Sequence, residues 1–535
     1  MKQSTLLFLI FLITQITYGQ KSSLEGVFAF VYNPLTALPD NGSSISDKVV
    51  QKVFDDLVEA KGVKSILAPK LIISNSESVA AWAQPSKKLI GVELKALNVC
   101  RSMGKDSLNA MAGLLAHELI HYYENHNWKN HFVHNYSDLE DEVGIENGKQ
   151  MEMEADDMGG LLAHMAGYRS LSIMPRLLEE IYKSYNLNAE DNSTYPNLES
   201  RIQMAKISQS NLEKLIPVFE VANYLMIINE VELAAMYLEY IVSKSGFVSR
   251  EIHNNLGVLY AIAAYDRRPR QVLKFVFPFL IDFESRLGKK GLEEESFEAL
   301  TEKAIQFFEA AKMLDHNYEN SSINLAYLHI LKEEYFEAEY VLRKLEKDFE
   351  HLRGNLHSAY GLLVAYQGEK EKARKIWQEG VDRNENIYRI NLGILNESES
   401  SPGFSTKPID IAIDNINLNK LYAEIAQEKV DPTLSIDIDE NHSFYTVDLE
   451  SSEIYIHMDY EKDEQYCFFH IIDKPNNQLP LNIGASEKVL IEYFGEPDMS
   501  FKSSGGHIYN YKNLNMIAVV QDGKILKWCI YKQSL

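Results

Sequence analysis

The chain has 535 residues, of which 45% are hydrophobic and 24% are charged, so it is long enough to form roughly two to four globular domains. Its 77 acidic and 53 basic residues give a formal net charge of −24 at pH 7. This balance argues against a nucleic-acid partner and against binding to an anionic membrane, because both need a positively charged protein surface.

The first twenty residues, MKQSTLLFLIFLITQITYGQ, have the pattern of a secretory signal peptide. Lys2 is the positive N-terminal residue, residues 6–13 form an apolar core, and the small residues Thr17 and Gly19 precede the cleavage position. The alternative is a membrane anchor, but the apolar run is shorter than the roughly 20 residues that a spanning helix needs. We therefore predict cleavage near Gly19–Gln20 and a mature chain without a transmembrane segment, in the periplasm or secreted.

Residues 21–210 are predicted to form one domain in which strands precede helices. The segments PKLIISN (69–75) and KKLIGVEL (87–94) have the branched apolar content of β-strands. Residues 77–92 also fit an edge strand beside a cleft, to which an extended peptide could add through backbone hydrogen bonds. The alternative for the same residues is a hairpin in the core.

Two predicted helices follow these strands. The first is capped by Asp106 or Ser107 and runs to about Tyr123. A polar loop ends at Gly148, and the second helix begins near Lys149 and carries the sequence MEMEADDMGGLLAHMAG. The two polar candidates for a functional site lie on these two helices.

Residues 211–395 read as almost continuous helix with an internal repeat. Small and apolar residues recur in the same helical phase after about 34 residues, with an insertion between Tyr265 and Thr301, and this pattern resembles tetratricopeptide repeats. The alternative is an irregular helical bundle. The recurring residues are Ala304, Phe308 and Ala311, then Ala338 and Leu342, then Ala373 and Trp377.

A linker containing Ser, Pro and Gly (396–408) separates the repeats from a C-terminal region, 409–535, in which aromatic and β-branched segments alternate with polar turns. Cys467 and Cys529 lie in this region and could pair, whereas Cys100 is expected to be a buried apolar residue. The predicted fold is therefore multidomain α+β, with a mainly helical N-terminal domain that contains a small sheet, an α-solenoid of repeats and a small β-rich C-terminal domain.

The segment AHELIHYYENH (116–126) contains the pattern His-Glu-x-x-His. His117 and His121 are four residues apart, so on a helix they lie on one side and can bind the same ion. Glu118 follows the first histidine and would lie beside a water activated by that ion, where it can act as a general base. The alternative is a polar face of an ordinary half-buried helix.

A catalytic zinc ion needs a third protein ligand. The longer pattern that supplies a third histidine fails here, because Glu124 and Asn127 stand where it requires Gly and His. We interpret the nearby His126, His131 and His134 as surface residues, since polar side chains in a loop mostly face solvent.

The second helix offers a better third ligand. Glu152 and Asp156 are one helical turn apart and face the same way, while Glu154 points elsewhere. Glu152 could bind the metal, and Asp156 could accept the free ring N–H of a ligand histidine. The alternative is an acidic, solvated first turn of a helix.

Three ordered segments, HELIH, EMEADDMGG…AHMAGY and NSTYPNLESRI, resemble the signatures of the zinc endopeptidases that include HtpX, BepA and the CAAX prenyl endopeptidases (peptidase family forty-eight). The resemblance covers about residues 45–210, and the order of predicted domains is most similar to that of BepA. It implies a gluzincin-type domain with one Zn²⁺ per chain. Its implied roles are zinc ligands for His117, His121 and Glu152, general base for Glu118 and histidine partner for Asp156.

Tyr195 departs from that family's usual Ser-Thr-His-Pro, in which the histidine lies close to the zinc. The tyrosine hydroxyl could donate a hydrogen bond to the oxyanion, which would make Tyr195 catalytic, or the ring could simply pack before Pro196. The resemblance predicts an exported endopeptidase for extended or misfolded envelope proteins, whose repeats bind substrate or an envelope-assembly partner. The alternative is a chaperone-like or scaffolding protein with a weakly active or inactive protease domain.

Overall fold

The computed structural model describes residues 47–63, 66–76, 80–124, 126, 142–186, 198–245, 249–268, 275, 277, 279–281, 283–284, 296–316, 318–348, 353–382, 387–396, 432–449, 452–460, 465–474, 481–503 and 506–533. The predicted signal segment 1–20, nearly all of the predicted linker, and Tyr195 lie outside the described residues. So do His131 and His134. The described part is mostly helical, with a three-stranded sheet, an eight-stranded sheet and a pair of two-residue strands, and agrees with a multidomain α+β fold.

The N-terminal region combines a three-stranded sheet with five helices among its described residues. The elements are α1 (Asp47–Lys61), β1 (Lys70–Ser74), β2 (Ala81–Gln84), β3 (Leu89–Glu93), α2 (Leu94–Ser102), α3 (Ser107–Tyr123), α4 (Glu142–Met165), α5 (Met174–Tyr185) and the start of α6 (Leu198–Ile228). The central strand of the sheet is β3, which pairs in parallel with β1 and antiparallel with β2. Both predicted strand segments are present.

Helix α3 lies at the centre of this region, packed against α1, α2, α4 and the sheet. Nearly all of its residues are buried, as expected for a helix that is apolar on most sides. It begins at Ser107, and Asp106 occupies the N-cap position as predicted, but the Asp106 side chain makes no cap hydrogen bond. The Ser107 hydroxyl faces backwards, towards the carbonyl oxygens of Arg101 and Gly104.

Helix α6 continues through residue 210, where the sequence suggested a domain boundary, and contains Pro217 in its interior. It therefore belongs to both the N-terminal region and the helical region. The helices that follow are α7 (Val231–Ser245), α8 (Arg250–Arg267), α9 (Phe297–Leu314), α10 (Glu319–Leu331), α11 (Tyr335–Asp348), α12 (Arg353–Tyr366), α13 (Lys370–Asp382) and α14 (Ile387–Leu395), and the short strands β4 (Leu280–Ile281) and β5 (Phe283–Glu284) lie within the insertion.

The recurring residues of the predicted repeats lie in the packed interior of consecutive helix pairs. All seven of them are buried, and α8 packs on α9, α10 on α11 and α12 on α13. A Cβ atom on Gly361 of α12 would lie 2.1 Å from the Trp377 ring of α13. The glycine is needed at this position because the indole ring occupies the space that a side chain would take.

The C-terminal region forms an antiparallel sheet with eight described strands, which confirms the prediction of strands in this region. The strands are β6 (Leu434–Asp437), β7 (His442–Asp448), β8 (Glu453–Asp459), β9 (Gln465–Ile472), β10 (Met499–Ser503), β11 (Gly506–Tyr511), β12 (Met516–Gln521) and β13 (Lys524–Gln533). Their order in the sheet is β10-β11-β12-β13-β9-β8-β7-β6, and α15 (Glu487–Phe494) packs on β13.

This sheet packs on α6 and α7. Tyr224 of α6 stacks on Phe469 with ring centroids 5.6 Å apart, and the Tyr237 hydroxyl of α7 lies 3.0 Å from Nδ1 of His457. The C-terminal region is thereby attached to the same helix that enters the N-terminal region.

The cysteines correct one expectation. Cys467 and Cys529 lie on the neighbouring strands β9 and β13, but they are not bonded to each other, and each is a buried free thiol. Cys100 is buried in the core as predicted. Within the described ranges, no helix combines the length and the apolarity that a bilayer crossing requires.

Candidate metal centre

The site is built where α3 and α4 approach each other closely. A Cβ atom on Gly159 of α4 would lie 3.0 Å from the backbone nitrogen of His117 and 3.1 Å from its Cα atom. Because no side chain separates the two backbones there, residues one and two turns earlier on α4 come within reach of the histidines on α3. This close approach brings Glu152 and Asp156 to His117 and His121.

Three side chains present metal-ligand atoms to one point. His117, His121 and Glu152 each offer one such atom, and these atoms all lie within 4.8 Å of one another. The two Nε2 atoms are 2.9 Å apart. The two carboxylate oxygens of Glu152 lie 3.4 Å from Nε2 of His117 and from Nε2 of His121, respectively. The residues predicted as ligands are therefore brought together.

These distances fit a metal ion of the size of zinc. Tetrahedral zinc with bonds of about 2.0–2.1 Å holds its ligand atoms about 3.3 Å apart. Each Glu152 oxygen stands at about this distance from the Nε2 atom of one histidine, and the two rings must open slightly from their 2.9 Å separation. Two imidazoles and one carboxylate suit zinc and other divalent first-row metals. The donor set thus identifies a candidate metal centre without selecting one element.

His117 has the hydrogen-bond partner that the sequence predicts. Its Nδ1 atom lies 2.8 Å from Oδ1 of Asp156, so the ring donates to the carboxylate and keeps Nε2 for a metal. Burial alone would lower the pKa of His117, but its hydrogen bonds to Asp156 and Glu152 raise the pKa to about 10. The centre therefore favours positive charge, and a proton and a metal cation compete for the same Nε2 lone pair.

Arg201 is a component of the site that the sequence analysis did not identify. It comes from the first turn of α6, is 5% exposed, and donates to Glu152 Oε2 at 2.6 Å and to Asp156 Oδ1 at 3.3 Å. Burial opposes its charge, but Asp156 and Glu152 outweigh this effect and raise the pKa of Arg201. The only sequence signal was its place in NLESRI, within the third segment of the family resemblance.

Glu118 lies next to His117 and is 9% exposed. Burial raises the pKa of Glu118, and the neighbouring His117 and His121 partly oppose this shift. Glu152 behaves in the opposite way. Burial would raise its pKa, but hydrogen bonds to the two histidines and the charge of Arg201 hold the pKa well below the usual range. The two glutamates of the site are thus chemically distinct, and the ionised form that a metal ligand needs is favoured at Glu152.

His126 contradicts its interpretation as a surface residue. It is 1% exposed, and its Nδ1 atom lies 2.7 Å from Nδ1 of His121. This ring therefore lies behind His121 rather than in solvent. Glu154 stays out of the ligand group, as predicted, and its Oε2 atom lies 3.4 Å from Nε2 of His126.

Two further residues that the sequence analysis considered are Glu124 and Tyr195. Glu124 follows the last residue of α3 and accepts from the buried Lys61 ammonium at 3.3 Å, so it is engaged outside the ligand group. Tyr195 stays a prediction, because it lies outside the described residues.

No protein-family model matches the chain, and no curated protein matches its sequence.

Proposed function

We propose that the protein is a zinc-dependent endopeptidase. The observation that carries the proposal is the convergence of His117, His121 and Glu152 on one point, with the buried Glu118 directly beside it in the chain. Two histidines and a glutamate leave a fourth tetrahedral position for water or substrate, which is the arrangement of catalytic rather than structural zinc sites.

Each residue of the centre has a distinct role in this proposal. When bound, a zinc ion polarises a peptide carbonyl and makes water a better nucleophile at neutral pH. Glu118 takes the proton from the attacking water and then delivers it to the leaving amine. Asp156 holds the ring of His117 in place, and Arg201 holds the carboxylates of Glu152 and Asp156.

The surroundings of the centre favour an extended polypeptide as the substrate. Strand β2 is at the edge of the described sheet and packs against α3, so a peptide aligned with β2 would run beside the helix that carries both histidines. Such binding relies on backbone hydrogen bonds and makes little demand on sequence. The repeats would hold the rest of a misfolded envelope protein or an assembly partner.

One observation favours a different class of function. Arg201 donates to Glu152 at 2.6 Å, and a cation so close to a ligand carboxylate weakens its bond to a metal. A scaffolding or chaperone-like protein with a weakly active centre is therefore the second candidate. The scaffolding candidate has the same metal ligands as the peptidase candidate, and the two differ in whether a peptide substrate is cleaved.

The test compares zinc content and the cleavage of a denatured protein, such as casein, for the full chain and three variants. We expect one zinc ion per chain in the wild type and in Glu118→Gln, with cleavage about 10²–10⁴-fold slower in Glu118→Gln because the general base is lost. His117→Ala should lose the zinc. Glu179→Gln, an exposed glutamate on α5, is the control and should match the wild type.

Three results decide between the candidates. A wild type without stoichiometric zinc, or a Glu118→Gln variant that cleaves as fast as the wild type, would rule out the peptidase. Retained zinc with no turnover of any denatured substrate would favour the scaffold.

A further inference from the structure

The two candidate ligand histidines have different partners behind them. Nδ1 of His117 lies 2.8 Å from a carboxylate oxygen of Asp156. Nδ1 of His121 instead lies 2.7 Å from another imidazole nitrogen, Nδ1 of His126. A ligand histidine usually donates its second ring N–H to a carboxylate, a carbonyl or water, so an imidazole in this place needs an explanation.

The ring protons of His121 and His126 can be assigned from one requirement, because a ligand nitrogen must offer its lone pair to the metal. If Nε2 of His121 offers its lone pair to a metal, the ring must carry its proton on Nδ1. At 2.7 Å that N–H donates to Nδ1 of His126, which must then be the unprotonated nitrogen of its own ring. The neutral His126 ring consequently carries its proton on Nε2, so one tautomer determines the next.

The surroundings of His126 agree with this assignment. Its Nε2 atom is buried and lies 3.4 Å from Oε2 of Glu154, close to the carboxylate although not aligned for a good hydrogen bond. A carboxylate at this position favours an N–H on Nε2 over a lone pair. Lys61 is also buried, and burial lowers the pKa of its ammonium group, while the neighbouring Glu124 and Glu154 oppose this shift.

The ring contact also fixes the orientation of His121. The rings of His126 and His121 have centroids 4.8 Å apart and meet edge to face at 80°. Because His126 is 1% exposed, neighbouring atoms surround it and limit its movement. His126 can therefore hold both the tautomer and the plane of the His121 ring.

We propose that His126 is a positioning residue of the metal centre, which accepts the Nδ1–H of His121 and aims Nε2 of His121 at the metal. The inference deepens the proposed function, since it rests on metal binding by His121, but it does not require peptidase activity. Its readout is the affinity for the metal and the ring tautomer, and neither depends on turnover.

The main test compares two substitutions of similar size. His126→Asn keeps an acceptor oxygen near the position of Nδ1, whereas His126→Leu removes the acceptor and keeps an apolar side chain. We expect the zinc affinity of the full chain, measured by competition with a chelator, to fall about 10- to 100-fold in His126→Leu. His126→Asn should stay within about threefold of the wild type, because the hydrogen bond is retained.

The outcomes separate this inference from the proposed function. Wild-type affinity in His126→Leu, or equal losses in His126→Leu and His126→Asn, would overturn the positioning role. A wild type that binds zinc without cleaving any substrate would remove the peptidase proposal and leave this one intact. A wild type that binds no zinc would overturn both.

A second measurement does not depend on the folding of any variant. In zinc-loaded wild-type protein with ¹⁵N-labelled histidine, nuclear magnetic resonance should show His121 protonated on Nδ1 and His126 protonated on Nε2. A proton on Nδ1 of His126 would overturn the inference, because that nitrogen could not then accept from His121.

Discussion

Two buried histidines in this chain have pKa values displaced in opposite directions. At the metal centre, carboxylate partners raise the pKa of His117 to about 10 against the effect of burial. At the interface between α7 and the C-terminal sheet, burial lowers the pKa of His457 to about 3, with the neighbouring His442 acting in the same direction. Both rings are buried, so their different surroundings, rather than burial itself, determine which charge state the protein favours.

The two regions also balance their ionised groups differently. Arg201 is the cation paired with both Glu152 and Asp156 at the metal centre. At the sheet interface, Glu220 of α6 is paired with Lys527 at 3.3 Å and accepts from the Tyr455 hydroxyl at 3.2 Å. A second carboxylate, Glu453, lies beside this interface pair and accepts from the same hydroxyl at 2.8 Å, but burial raises the pKa of Glu453. At the metal centre burial opposes ionisation of Glu152 as well, yet hydrogen bonds to the two histidines and the charge of Arg201 hold the pKa of Glu152 well below its usual range. A carboxylate kept ionised beside two imidazoles distinguishes the candidate metal site from the interface pair.

The largest expected effect comes from removing the cation of the metal centre. Arg201→Met leaves Glu152 and Asp156 buried without their guanidinium, so the free energy of unfolding without zinc should fall by about 4 kcal/mol. Zinc should restore part of this loss, because the ion supplies positive charge to the same carboxylates. Urea unfolding in chelator and in excess zinc measures both values.

Arg169→Met, at an exposed position, is the control for this experiment and should change neither value. An Arg201→Met variant that loses the same stability with and without zinc would contradict the charge comparison, since zinc would then not replace the missing cation.

The second largest effect is expected from the interface pair. Lys527→Met leaves Glu220 buried beside the Tyr455 hydroxyl, which also contacts Glu453, and should cost about 3 kcal/mol of unfolding free energy. Adding Glu220→Gln should recover much of this loss, because the charge that had lost its counter-ion is gone. Zinc should not change the size of either loss relative to the wild type, because the metal centre is intact in both variants.

Thermal or urea unfolding of the single and double variants measures these differences. Lys524→Met, exposed on the same strand, is the matched control. A double variant that is less stable than Lys527→Met alone would show that the two charges do not compensate each other.

The sequence could predict the metal ligands because their spacing is local. Residues four apart on a helix share a face, so His117 pairs with His121 and Glu152 with Asp156 without any knowledge of the fold. Their mutual approach depends on Gly159, and a single glycine in a helix does not reveal which backbone it will meet.

The missed residues reach the site through the tertiary structure. Arg201 comes from another helix across a segment of no periodic pattern, and His126 follows α3 in a run of polar residues, where the usual exposure of polar side chains suggested a surface position. The same reason explains the boundary at residue 210. Helix α6 runs without a break from Leu198 to Ile228, so no loop marks the boundary that the sequence suggested.

The smallest effect is expected at His457, where it appears only as a dependence on pH. His457 is 2% exposed, its Nδ1 atom lies 3.0 Å from the Tyr237 hydroxyl, and Asp439 and His442 are the charged neighbours that influence it. Its pKa is about 3 in the folded protein and about 6.5 in the unfolded chain. As the pH falls below about 6.5, His457 therefore binds a proton in the unfolded chain but stays neutral in the folded protein, and the free energy of unfolding declines.

The expected loss is about 1.4 kcal/mol for each pH unit between the two pKa values, and it is absent above them. His457→Asn keeps a polar atom near the position of Nδ1 but cannot be protonated, so its unfolding free energy should fall less steeply from pH 6.5 to pH 4. His316→Asn, at an exposed position, should keep the wild-type slope. Equal slopes for wild type and His457→Asn would mean that His457 does not stay neutral in the folded protein, and the contrast with His117 would then be lost.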